Sequence, residues 1–255
     1  MGEGVLKLLT VPNLAVPHGF TTKAGGVSDG HFASLNLGLS TGDAPARVAE
    51  NRERVLRHFA VTQAQACVLH QIHGARVVVA APGWFDVEAD AAVTDDPELL
   101  LVIGVADCAP LLFHDPVQRV VGAAHAGWRG TAQGVARNVV TALGEHYGSR
   151  PEDLQVAVGP SIVGPCYQVG PEVKAAFDAQ GFPQTVAPPD DAADGLERYR
   201  LDIGVANRFV LTEAGVPDGN IFDLNACTHC DATQFYSHRR DGLKRGSHWA
   251  AVRLG

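Results

Sequence analysis

Apolar positions along the chain fall into two patterns. Short runs rich in Val, Leu and Ile read as strands at 5–9, 67–69, 76–80 (RVVVA), 99–106 (LLLVIGVA) and 119–124 (RVVGAA). The last two lack polar alternation, which predicts strands covered on both faces. Asp115-Pro116 marks a turn between them. Elsewhere apolar residues recur at helical spacing. Val48, Val55, Leu56 and Phe59 form a stripe over 46–59, and Val135, Val139, Val140 and Leu143 form one over 131–147. Val205, Phe209 and Val210 predict a helix over 202–214 with Gly215 as its cap, and Pro171 opens a shorter one over 171–179. The polar, Pro-rich and acidic stretch 183–195 reads as a surface loop. No internal repeat is visible. Strands and helices mix without strict alternation, which predicts a single α/β domain over 1–255, a mixed sheet flanked by helices.

Composition narrows the function. With 255 residues, 46% of them apolar, the chain can bury a core without disulfides. Lys and Arg number 20 against 28 Asp and Glu, a net charge of −8 with no basic block, so nucleic acid is excluded as a primary partner. No run reaches the roughly 18 apolar residues of a membrane span. Residues 1–10 lack the basic and apolar regions of a signal peptide. Five scattered cysteines, an odd count, point to a reducing cytoplasm and to at least one cysteine with a chemical role. Nothing in the pattern specifies an oligomeric state.

Several familiar motifs are absent. There is no GxxxxGK[ST], no GxGxxG after a strand and no HExxH. The segment GPSIVG at 159–164 is one residue too long for a nucleophile elbow. The CxxC at Cys227 and Cys230 lacks a second ligand pair nearby, since His238 and His248 are single, so it reads as loop cysteines without a joint function.

Three segments set a soft ligand beside small residues: HQIHG at 70–74, ADCAP at 106–110 and AHAGWRG at 124–130. The last two follow predicted strands, where a rigid scaffold presents reactive groups. Two histidines and a cysteine suit Zn²⁺, and three ligands leave a fourth position open, the pattern of a catalytic ion. Taken singly, each is as well explained as a turn histidine or a small buried thiol. Arg129, beside Trp128 at a predicted helix start, is a candidate anion ligand. HRRDG at 238–242 offers Arg240, and the turns TTKAGGVS at 21–28 and SLNLG at 34–38 offer Lys23 and Asn36.

Together these segments resemble the YfiH-like family, also called the laccase-domain or polyphenol-oxidase-like family. TTKAGGVS, SLNLG, ENRERV, HQIHG, ADAAVTD, GVADCAPLLF, AAHAGWRG, GPSI, DLN with CT, and HRRDG occur in that order between Thr21 and Gly242. The resemblance implies a single α/β domain with a zinc site formed by His73, Cys108 and His125, with His70 outside the trio. It also implies a structural role for Cys227. Lys23 stands where relatives commonly carry Arg, so the two-pronged geometry of an arginine is missing there.

The activity the resemblance implies is phosphorolysis of adenosine- or inosine-type nucleosides to base and ribose 1-phosphate, with adenosine deamination alongside. Nucleoside and phosphate are then the partners, Arg129, Arg240, Lys23 and Asn36 the candidate substrate and phosphate ligands, and Asp90 or Asp107 the acid/base group beside the catalytic trio. Two alternatives stand. One is a Cys108/His amide hydrolase acting on peptidoglycan precursors. The other is a polyphenol oxidase with Cu²⁺ in place of Zn²⁺, although none of the 11 histidines forms the HxH pairs of a multicopper cluster.

Overall fold

The runs without polar alternation become the centre of two stacked six-stranded sheets. The structure is a computed structural model that describes residues 5–82, 85–182, 186–187 and 197–255. With strands numbered along the chain, the first sheet reads β1 (Leu8–Leu9), β2 (His18–Thr21), β15 (His248–Val252), β7 (Leu100–Val105), β3 (Ala66–His70), β5 (Phe85–Glu88). The second reads β14 (Ile221–Asp223), β10 (Gln155–Val158), β8 (Ala109–Asp115), β9 (Val120–Ala126), β6 (Ala91–Thr94), β4 (Val77–Val79). Both are mixed. β3 runs parallel to β5 and β7, β4 to β6 and β10 to β14, and the remaining pairs are antiparallel. A small third sheet orders β11 (Gln168–Val169), β13 (Tyr199–Leu201) and β12 (Val186–Ala187).

The strand period of two explains the layers. Leu101, Ile103 and Val105 of β7 face Leu112, Val121 and Ala123 of the second sheet. Leu100 and Val102 point the other way, onto Val55 and Leu56 of α1 (Pro45–His58). In β8, Leu111 and Phe113 pack on Val139 and Leu143 of α3 (Val135–Tyr147) and Val210 of α5 (Ile203–Glu213). The order is therefore helix, sheet, sheet, helix. The sequence predicts one mixed sheet, and the structure has two. A strand that is apolar on both faces reads the same whether a helix or a second sheet covers it.

Other elements follow the pattern with smaller differences. The predicted helix over 131–147 splits into α2 (Trp128–Ala132) and α3, because Gly134 takes φ +79° between them. The strand predicted at 5–9 contracts to Leu8–Leu9. The helix predicted over 171–179 forms as α4 (Pro171–Ala179), and a short α6 (His238–Asp241) carries part of HRRDG. The predicted loop 183–195 lies outside the described residues except for the Val186–Ala187 strand.

Three connections that pass from the first sheet to the second converge. β3 leads to β4 through 71–76, β5 to β6 through 89–90, and β7 to β8 through 106–108. Those crossings carry His73, Asp90 and Cys108, and His125 sits near the end of β9. The fold thus brings together four positions that are far apart in sequence.

Three buried histidines make the fold acid-sensitive. The amide of Tyr236 donates to His248 Nε2 at 2.7 Å and that of Val11 to His18 Nε2 at 3.0 Å, bonds only neutral rings can accept. Burial lowers the pKa of His18, His114 and His248, the last from 6.5 to about 3. The unfolded chain protonates these rings near the ordinary value and the native state resists. Their stabilisation is therefore whole above about pH 6.5 and drains away as pH falls below it. The urea midpoint is expected to drop between about pH 7 and pH 5, where few carboxylates titrate. A midpoint flat over that interval would refute this.

Candidate metal centre and cleft

Asp90 organises the centre. It is fully buried, and its carboxylate accepts the amides of Ile72 (3.2 Å), His73 (2.9 Å) and Gly74 (2.7 Å). Its Oδ1 also meets His125 Nδ1 at 2.8 Å. One carboxylate therefore fixes the HQIHG loop and leaves His125 Nε2 free to face the cluster. Burial raises the Asp90 carboxyl, but the hydrogen bonds from His125 and the Gly74 amide, with the His125 charge, outweigh it and hold the pKa below its ordinary value. Gln71 secures the same loop from the other side. Its amide pairs with both backbone groups of Gly104 in β7, at 2.8 and 2.7 Å.

The ligand atoms of His73, Cys108 and His125 all lie within 4.8 Å of one another. The two rings meet edge to face, with centroids 4.7 Å apart. His73 is exposed, Cys108 half-buried and His125 buried, so the cluster opens to one side. Burial raises the Cys108 thiol. The positive charge of His125 and hydrogen bonds from both histidines overcome that and bring it below its ordinary value. In the same pair burial lowers His125, and the Cys108 thiolate and Asp90 raise it above its ordinary value. A thiolate with two imidazoles, one of them oriented by a carboxylate, fits a borderline divalent ion.

The backbone around the cluster is under constraint. His73 and Asp107 both have positive φ, +60° and +94°, unusual for residues with a side chain. Asp107 is held by the Thr228 hydroxyl at 2.6 Å and the Arg239 amide at 2.6 Å. Gly127 leaves the room these side chains need. A Cβ there would lie 3.1 Å from Cys108 Sγ and 3.3 Å from His73 Cδ2.

The cluster forms the floor of a cleft of about 400 Å³. Trp128, Arg129, Tyr167, Arg239 and Arg245 are among its walls. Arg239 stacks over the Tyr167 ring at 5.0 Å and Arg129 over Trp128 at 4.4 Å. The Nε of Arg245 is buried and has no protein partner among the described residues.

The residues singled out in the sequence separate here. His73, Cys108, Asp107 and Arg129 line the cleft, and His125 and Asp90 lie beneath it. Arg240, Lys23 and Asn36, expected at phosphate, do not line it. The Arg240 guanidinium donates to the carbonyls of Thr228, His229 and Phe235 and pairs with Asp241. Lys23 donates to the Ala232 carbonyl and sits over Tyr236. Asn36 is fully buried and pins Thr41, Asp43, Gly38 and Ser247. Arg239, Arg245 and Tyr167 are the cleft residues the sequence reading misses. HRRDG is the one signal pointing near them; the expectation drew Arg240 from it, and Arg239 is the arginine that lines the cleft. The predicted helix start at Arg129 forms as a five-residue helix, Trp128–Ala132, whose first two residues line the cleft.

The CxxC cysteines also behave differently from the expectation of loop residues with no joint role. Cys230 Sγ lies 3.1 Å from Cys166 Sγ, 64 residues away in sequence. Those two sulfurs and a ring nitrogen of His229 form a second group within 4.8 Å.

The family described as multi-copper polyphenol oxidoreductase laccase matches residues 17–255. The chain belongs to this laccase-like family. A relative from Deinococcus radiodurans named purine nucleoside phosphorylase is 44% identical, over 98% of this chain and 93% of its own. Adenosine deaminase RL5, from an unknown prokaryotic organism, is 33% identical over 91% of this chain and 92% of its own. The crystal structure of YfiH from Bacillus licheniformis superposes with a TM-score of 0.89, at 34% identity, over 98% of this chain and 96% of that one. The laccase-like fold is thus shared with proteins whose names point to nucleoside chemistry. No helix among the described residues is long and apolar enough to cross a membrane.

Proposed function

We propose that the chain is a metal-dependent purine nucleoside phosphorylase with adenosine deaminase activity at the same cleft. The observation that carries this reading is one cleft that joins a His₂Cys cluster to three arginines. His73, Cys108 and His125 would hold the ion. Zn²⁺ is the fit we favour, and Cu²⁺ suits the same donors. When bound, the ion supplies Lewis acidity at the cleft floor.

The remaining roles belong to side chains. Arg129, Arg239 and Arg245 bind phosphate, whose charge answers the cations and whose oxygens match their planar forks. Arg245 brings its side chain to the cleft wall beside Arg239. Trp128 and Tyr167 offer aromatic faces to the base. Asp107 positions the Cys108 turn through Thr228 and Arg239, and Asp90 positions His125, so both act as positioning residues. The names of the Deinococcus relative and of RL5 favour nucleoside substrates over the phenols of the family description.

The test is product analysis of adenosine with and without phosphate. Adenine and ribose 1-phosphate formed only with phosphate are expected, with inosine appearing in both tubes. Unchanged adenosine from metal-replete protein overturns the reading. The depressed Cys108 thiol also suits a nucleophile, so that outcome would instead favour the Cys108/His amide hydrolase. Arg245→Ala is expected to raise the KM for phosphate by about 10–100-fold, the worth of a charged hydrogen bond, with metal content unchanged. An unaltered KM would remove Arg245 from the phosphate site.

A further inference from the structure

We infer that Cys166, Cys227, Cys230 and His229 form a second zinc site, closed by protein ligands and separate from the centre in the cleft. Cys166 closes the turn Gly164–Cys166, just before the small third sheet. The other three lie between β14 and β15. The ligand atoms of Cys166, Cys230 and His229 share a sphere of 4.8 Å. Cys227 opens the C-x₂-C turn that Cys230 closes and is the third thiol assigned to the group.

The spacing favours metal over chance proximity. Cys227 and Cys230 have the two-residue spacing of structural zinc sites. The distant second half of the site comes from Cys166, which sequence spacing could not reveal. Three thiolates and an imidazole make a full tetrahedral set for Zn²⁺, and no position is left for a substrate.

The site has a mechanical consequence. Cys166 immediately precedes Tyr167, a wall of the cleft. Thr228, between the two CxxC cysteines, holds Asp107 beside Cys108. The carbonyls of Thr228 and His229 accept from Arg240, whose neighbour Arg239 lines the cleft. An ion at Cys166, Cys227 and Cys230 would tie the Tyr167 wall to the segment that carries Thr228 and Arg239. His229 and the three cysteines are all at least partly exposed.

The test uses the full-length chain, stripped of metal under reducing conditions and titrated with Co²⁺. The thiolate-to-metal charge-transfer band counts sulfur ligands. Wild type is expected to bind two ions. Cys108→Ala should keep one ion and about three-quarters of the band, since three of four thiolates remain. Cys230→Ser, at an exposed position, and Cys166→Ser should each lose the other ion and most of the band. Maleimide labelling gives an independent readout, because bound metal should shield Cys166, Cys227 and Cys230 in the wild type. One ion per wild-type chain, abolished by Cys108→Ala, overturns the proposal. So does full labelling of the three thiols in metal-replete protein.

Discussion

Replacing Cys108 with Ala is expected to abolish nucleoside turnover and empty the cleft centre of metal while the protein stays folded. Cys108 supplies the only sulfur of its cluster, and His73 and His125 alone are a poor set for a borderline ion. Loss of the ion's contribution, several kcal/mol of transition-state stabilisation, corresponds to a fall of about 10³-fold or more in kcat/KM. Stability should change little. Cys108 is only half-buried at the head of β8, and removal of one sulfur costs about 1 kcal/mol. Metal analysis, urea unfolding and adenosine turnover on the same preparation separate the three effects. A variant that stays active with metal in the cleft excludes Cys108 as a ligand. Since Cys166, Cys227 and Cys230 would still bind an ion, the analysis must count metal site by site.

Asp90→Ala should do more damage to the fold than any substitution at the ligands. Asp90 is fully buried, and its loss leaves the amides of Ile72, His73 and Gly74 and the Nδ1 of His125 without their acceptor. Breaking such a buried charged network costs about 3–5 kcal/mol. The surviving folded molecules should bind metal about 10–100-fold more weakly, because nothing then fixes the His125 ring. Asp90→Asn keeps the volume and one acceptor oxygen but turns an amide group toward backbone donors, so it should fall between wild type and Asp90→Ala. Urea unfolding reports the first effect, and competition with a chromophoric chelator reports the second. Wild-type stability together with wild-type affinity would show that Asp90 organises nothing.

These predictions draw on both levels of information. Residue chemistry marked HQIHG, Cys108 and His125, because soft ligands beside small residues are uncommon at strand ends, and the resemblance of ten ordered motifs to one family chose His73 over His70. Asp90 stood out as a carboxylate near a metal ligand, but its role was not legible. Only the folded chain shows that its oxygens are already occupied by three amides and a ring nitrogen. Arg240 and Arg239 are neighbours with identical side chains, and the turn into α6 sends one to the CTHC carbonyls and the other to the cleft. Asn36 and Lys23 lie in turns that look free to bind an anion, yet they are consumed by contacts from distant segments.

Local pattern determined which stretches are strands and helices and which residues can hold a metal. Those properties depend on neighbours a few positions away: period, turn residues and donor type. Tertiary structure decided that the apolar strands stack as two sheets, that three crossings between them meet at one centre, and that Cys166 joins Cys230. These are contacts between residues tens of positions apart, set by how buried faces find each other, and no local pattern encodes the partner.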